Sequence, residues 1–526
     1  IGGQSGLSDF DDVSPDAEIV LDFTAALAAA TVEANIYLLD AGGAKVDASD
    51  VYDGAKRVTL KPSAGLNAYA SYRLIVDSGL KSAAGEAILT GKVIRIRTGL
   101  DTSDKFPQIS DEELLTKVQQ QTFRYFWEGA EPTSGMARER TSSGATVTTG
   151  GTGFGVMAMT VAAERGFVTR SEACQRVQRI VTFLAERATS YHGAFSHWID
   201  GQTGQTLPFS ADDNGADLVE TGLLFQGLLT ARAYFDGADA AESKLRADIT
   251  ALWEAVEWDF FTKEGTEKVL YWHWSPDKGW AMNMPIQGWN EALIVYVLAA
   301  SSPTHPIGRE VYAEGWARGG AMRNGKLFYD TVLPLGEDYG GPLFWAQYSF
   351  LGLNPRGLSD AYADYWEQVC NHTRINYAYC VDNPKGYAGY GADCWGLTAS
   401  DIPDGYTASS PTNDRGVIAP TAALSSMPYT PDESMAALRF FYYKLGDKLW
   451  SDYGFIDAFD LTTGWFDTKG SVAVNKRISR QRAEALKTWL VRNGIEASRI
   501  TAIGNGSDGS IEAGKARRVE TTDNNK

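Results

Sequence analysis

The sequence predicts a mainly α protein: a toroid of helical hairpins, an (α/α) barrel, preceded by a small β-sandwich and followed by a short α/β fragment. Three observations predict it. Residues 1–100 carry short apolar runs split by Gly and Ser turns, the rhythm of a two-sheet sandwich. Over residues 109–467, roughly twelve helical patterns alternate with Gly- and Trp-rich loops, with no fixed-period repeat. Residues 468–526 change again, to one helix and one strand. A chain of 526 residues is long enough to give each large segment its own core.

Strands are expected over 17–23, 34–39, 57–60, 72–76 and 93–97, with turns at Ala41-Gly42-Gly43 and Ser63-Ala64-Gly65. Residues 102–106 form a polar joint. Ser110-Asp111-Glu112-Glu113 then starts a helix, because a Ser cap followed by acids suits the free N–H groups and the dipole. Helices are expected over 112–127, 154–165, 170–188, 217–235, 240–260, 291–299, 305–318, 361–375 and 431–445. In the last segment a helix over 478–492 closes at Asn493-Gly494, a strand covers 500–504, and the tail frays from 523.

A net charge of −18 disfavours nucleic acid and anionic membrane surfaces as partners, which leaves a neutral substrate. The 15 Trp, 24 Tyr and 22 Phe suit sugar faces, and they suit cores equally. No apolar run of about 18 residues occurs, so no membrane span is expected. Ile1 in place of Met points to a removed export segment, and hence to the periplasm or cell surface of a Gram-negative bacterium. Cys174, Cys370, Cys380 and Cys394 lack metal-site spacing, so neither metal nor cofactor is expected. In an exported protein one disulfide among the last three is expected. A monomer is the expected state.

The chemistry concentrates in Asp212-Asp213-Asn214-Gly215-Ala216-Asp217-Leu218-Val219-Glu220, where acids stand at the start of an apolar helix. Asp217 with Glu220 also reads as a capping box. Glu291 opens another helix, behind His273, Trp274, Trp280 and Trp289. Asp393, Trp395 and Asp401 share one loop stretch, and Asp414 stands beside a Gly turn. Arg138 and Arg140 can fork onto acids or sugar hydroxyls. Phosphate-loop, nucleophile-elbow and zinc-protease motifs are missing, so carboxylates and aromatics in loops point to glycoside hydrolysis.

Four strings, Asp217-Leu218-Val219-Glu220-Thr221, Asn290-Glu291-Ala292-Leu293, Trp395-Gly396-Leu397-Thr398-Ala399-Ser400-Asp401 and Ile418-Ala419-Pro420-Thr421, together resemble the bacterial glycoamylase domain family. Its better-defined members are endo-β-1,2-glucanases of glycoside hydrolase family 144. The resemblance implies an (α/α)6 barrel and metal-independent, inverting cleavage of a glucan. It implies Glu220 as proton donor. Such a mechanism needs a second carboxylate, for which Asp414 is the candidate base with Asp393 and Asp401 behind it. Asp217, Glu291, Arg138, Arg140, His273, Trp274, Trp280, Trp289 and Trp395 are the substrate-binding candidates read from the residues themselves. Residues 1–100 resemble a bacterial Ig-like domain. After Trp465-Phe466-Asp467 the chain is similar to the second half of an OmpA-like domain, through Gly470, Asn475, Ser479, Arg482, Ala483 and Arg517-Arg518, which implies at most weak peptidoglycan contact. The competing expectations are a non-catalytic glycan- or peptidoglycan-binding envelope protein and an α-glucan hydrolase.

Overall fold

The computed structural model describes residues 1, 3–101, 103–467 and 487. The OmpA-like segment and the expected elements over 478–492 and 500–504 lie outside the described residues, but for residue 487. The N-terminal segment holds β1 (Asp9–Val13), β2 (Ile19–Asp22), a short α1 (Val32–Asn35), β3 (Ile36–Asp40), β4 (Ala48–Tyr52), β5 (Arg57–Pro62), β6 (Ser71–Val76) and β7 (Lys92–Thr98). They form two sheets, ordered β1-β7-β6-β3 and β2-β5-β4, around one core of Ile19, Ile36, Val58, Leu74 and Ile96. The pattern misses β1 and β4, since Asp9-Phe10-Asp11-Asp12-Val13 and Ala48-Ser49-Asp50-Val51-Tyr52 do not alternate cleanly. Pairing supplies what the local sequence lacks: β1 runs parallel to β7, and β4 antiparallel to β5.

The helical part contains α2 (Asp111–Trp127), α3 (Thr149–Glu164), α4 (Arg170–Glu186), α5 (Leu218–Tyr234), α6 (Ala240–Glu254), α7 (Leu293–Ser301), α8 (Tyr365–Asp382), α9 (Pro420–Leu424) and α10 (Pro431–Arg439). Capping boxes start α2, at Ser110 and Glu113, and α4, at Thr169 and Glu172. Helices α3, α5 and α7 are apolar almost all round and bury most of their surface, whereas α2 and α4 bury one stripe. Helix α3 packs on α2, α4 and α5, and α5 on α6 and α7. A fully buried Leu or Phe in this core, such as Leu224 or Phe225, contributes about 1.5–3 kcal/mol.

Helix α3 starts at Thr149, ahead of the expected 154, because Gly150-Gly151-Thr152-Gly153 hides its beginning. Those glycines serve close packing. A Cβ on Gly153 would meet the Leu223 carbonyl at 2.1 Å, and one on Gly227 would meet the Gly153 carbonyl at 2.2 Å. The helix expected over 305–318 reduces to a wide turn at Val311–Trp316, and α9 is a helix the pattern did not show. The β domain rests against the end of the helical part: Arg97 Nη2 donates to the Thr462 carbonyl at 2.9 Å, and Tyr69 and Leu100 pack on the cluster around Phe441 and Phe459. All four cysteines are free and buried, so the expected disulfide is not formed. Among the described residues no helix is long and apolar enough to cross a membrane.

Candidate active site

Asp217 caps α5. Its Oδ1 accepts the Val219 and Glu220 N–H groups at 3.0 and 2.9 Å, and its Oδ2 meets His197 Nδ1 at 3.1 Å. The side chain is fully buried, and His273 Nε2 stands 3.7 Å behind it, also 3.5 Å from the buried Asp213. Burial alone would raise Asp217, but its bond to His197 and the charges of both histidines prevail, and its pKa is lowered. His197 responds in kind. Burial works against its charge, yet Glu220 and Asp217 override that and raise it to about 9. An ionised Asp217 beside an imidazolium is therefore the state at neutral pH.

Glu220, one turn into α5, does not fold back to close a capping box. Its Oε2 accepts the Gly150 N–H at 2.7 Å and the Thr148 hydroxyl at 3.3 Å, both at the start of α3. Only a glycine lets the carboxyl come so close, since a Cβ at residue 150 would lie 2.7 Å from Oε2. Glu220 is half-buried, and its pKa is raised, by burial first and by the neighbouring Asp217 charge, against the pull of His197 and the Gly150 N–H. Its Oε1 has no hydrogen-bond partner among the described residues. Glu291, in the turn before α7, is raised to about 7 by burial and by the charges of Glu220 and Asp217, which places it in the same site.

A second group of acids shares electrostatic neighbours with this one. Asp401 lies on the hairpin Ala399–Ile402/Gly405–Ala408, bonded to Arg140 Nη1 at 3.3 Å. Its backbone N–H donates to Asp457 Oδ2 at 2.7 Å. Asp457 is exposed to solvent at the surface of the site, and its pKa is raised to about 6, chiefly by desolvation of the carboxyl and then by Asp467 and Asp401. Oxygens of Asp401, Asp457 and Asp467 fall within 4.8 Å of one another, as do ligand atoms of His197, Asp213 and Asp217; Arg140 and His197 already supply a positive charge to each set. Two tyrosines feel the charges of both groups. Tyr348 is raised by burial and then by Tyr406, Glu220, Glu291 and Asp457, and Tyr406 by burial and then by Asp457, Glu291 and Asp401.

Of the remaining sequence candidates, His273 alone pairs with these acids among the described residues. Asp414 is buried with its oxygens filled: Oδ1 accepts Tyr390 at 2.8 Å and the Gly416 N–H at 2.9 Å, and Oδ2 accepts Tyr379 at 3.1 Å. A carboxylate with three of its roughly four acceptor sites taken, and buried, is fixed in a turn and poorly placed to activate a water. Asp393 is exposed on the loop before buried Cys394. Trp289 and Trp395 are shut off from solvent, stacked on Phe350 and bonded to the Glu433 carbonyl respectively, so neither offers a face to a sugar. Trp274 and Trp280 are half-buried and pack on Phe260. Arg138 clamps the Gly129 and Gly144 carbonyls. His273 braces Asp217 from behind. Sequence reasoning missed His197, Tyr348, Tyr406, Gly150 and Asp457. One signal was available: His197 is one of only 5 histidines and adjoins Trp198.

The glycoamylase (glucoamylase) family model matches residues 283–497, and the bacterial Ig-like domain model matches residues 8–95. An exo β-1,2-glucooligosaccharide sophorohydrolase from Parabacteroides distasonis is 47% identical over 378 residues, 68% of this chain and 52% of that protein. The chain thus spans about half the length of that curated relative. The solved endo-β-1,2-glucanase from Chitinophaga pinensis, in complex with sophorotriose and glucose, is 50% identical, covering 68% of this chain and 88% of that one, with a TM-score of 0.66. A β-1,2-glucanase structure from Parabacteroides distasonis is 39% identical, covering 87% of this chain and 66% of that one, with a TM-score of 0.67. A short stretch of 66 residues is 42% identical to outer membrane porin F of Pseudomonas fluorescens, 11% of this chain and 20% of that one.

Proposed function

The chain belongs to the glycoamylase family, and from that membership and the site geometry we propose that it is a glycoside hydrolase cleaving β-1,2-glucan, endo-acting and with inversion. One observation carries the reading: Glu220 combines a raised proton affinity, a glycine-cradled fixed position and an uncommitted oxygen. Glu220 donates its proton to the glycosidic oxygen as the bond to the anomeric carbon breaks. A water attacks that carbon from the opposite face and gives its proton to a second carboxylate. We assign that base to Asp401 in place of Asp414, because Asp401 pairs with Arg140 beside Asp457 whereas buried Asp414 is tied down by Tyr379, Tyr390 and the Gly416 N–H. Glu291, raised to about 7, offers a carboxylic O–H to a sugar hydroxyl. Asp217, with His273 behind it, positions Glu220.

We read residues 109–467 as an (α/α)6 barrel, with α3, α5 and α7 as inner helices and α2, α4 and α6 as outer ones, and residues 1–100 as the Ig-like domain. Their burial contrast and the packing of α3 on α5 support it. The Ig-like domain and the short likeness to porin F support an envelope location.

The test is product release from a panel of linear glucans. Oligosaccharides are expected from β-1,2-glucan and none from starch, with Glu220→Gln folded but inactive. Absence of turnover on every glucan, or a fully active Glu220→Gln protein, rejects the reading; saturable binding without turnover would instead favour a glycan-binding protein.

A further inference from the structure

We propose that His197, Trp198 and Phe209 form a binding subsite for a glucosyl unit adjoining the bond that Glu220 protonates; it rests on the hydrolase reading above. Phe209 is 52% exposed, so one side of the ring stays in water, which is unfavourable for an apolar group. Its loop is nevertheless held in place. The Phe209 N–H donates to the Asp213 carbonyl at 2.9 Å, and Lys278 Nζ donates to the Ala211 carbonyl at 2.8 Å. Lys278 also reaches Asp212, and Asn214 Nδ2 donates to Asp277 at 3.0 Å. An exposed ring on a braced loop is preorganised to meet a ligand.

Three rings build the wall. Phe209 lies 4.6 Å from the His197 ring and 4.8 Å from Trp198, and His197 meets Trp198 edge-on at 5.8 Å. Two links tie that wall to the acid. His197 Nδ1 bonds Asp217, whose other oxygen accepts the Glu220 N–H. Trp198 pairs in register with Thr148, whose hydroxyl donates to Glu220. His197 Nε2 has no partner among the described residues and is left to donate to a sugar hydroxyl. An aromatic face against the C–H face of glucose, with an N–H donor at its margin, suits a neutral glucosyl ring.

The experiment compares wild type, Phe209→Ala and Phe209→Trp on β-1,2-glucan, with kcat and KM resolved and thermal unfolding followed in parallel. Phe209→Ala should raise KM roughly tenfold, kcat staying within about twofold, while Phe209→Trp restores KM. Unchanged unfolding is expected, because the side chain is exposed. A Phe209→Ala protein with wild-type KM overturns the subsite and leaves the hydrolase reading standing. Wild type that releases no product overturns the hydrolase reading, and the subsite with it.

Discussion

Thr169-x-x-Glu172 and Asp217-x-x-Glu220 are the same helix-start pattern, and the fold puts them to opposite uses. At α4, Glu172 returns to the Thr169 N–H and hydroxyl, at 2.8 and 2.6 Å, and its pKa is lowered by those bonds. At α5, Asp217 keeps the cap while Glu220 turns away to the Gly150 N–H of α3, and its pKa is raised. The difference is the neighbourhood. Glu172 sits in water, where ionisation is cheap, whereas Glu220 is crowded by buried surface and by a second carboxylate. A capping motif therefore becomes a proton-holding acid when burial and a neighbouring carboxylate outweigh the hydrogen bonds that a glycine helix gives it.

That contrast can be broken most forcefully at Glu220. Glu220→Gln should lower kcat on β-1,2-glucan by roughly 10²–10⁴-fold, while Glu172→Gln leaves kcat unchanged. Next is the cradle. Gly150→Ala places a methyl where the Glu220 carboxyl lies and should cost on the order of 10²-fold in kcat, with far-UV circular dichroism retained. The second group of acids sharpens the comparison through pH. Because Asp457 is raised to about 6 in the folded protein, wild type loses stability as pH rises from its ordinary value near 4 through about 6. Asp457→Asn keeps an acceptor for Asp401 and should be more stable than wild type at pH 8 by about 1 kcal/mol, discounted for exposure, with no difference at pH 4 in denaturant melts. The smallest effect belongs to the ordinary cap: Thr169→Ala should cost about 1 kcal/mol of unfolding free energy and no activity.

Local signals made much of the fold and part of the site legible. Capping residues located α2 and α5, apolar periodicity located α4, and alternation located β2, β3, β5, β6 and β7. Acids at the start of α5 marked the region of Glu220. The remainder depends on contacts between distant residues. The start of α3 hides in glycines whose purpose is visible only when Leu223 and Gly153 meet. Asp457 reaches the site by accepting the N–H of Asp401, 56 residues away in sequence. Of the tryptophans singled out, Trp289 and Trp395 went to the core, and the exposed rings near the acids include Phe209 and Tyr406. The sequence ranks Asp414 ahead of Asp401 as base, and only the fold shows Tyr379 and Tyr390 bonded to the Asp414 carboxylate.

The most direct test is a carboxyl carbon NMR titration of wild type, with Glu220→Gln and Glu172→Gln supplying the assignments. Glu220 should titrate above the ordinary glutamate value of 4.5 and Glu172 below it. If Glu220 instead loses its proton alongside Glu172, it holds none to give at working pH, and the assignment of the acid is contradicted.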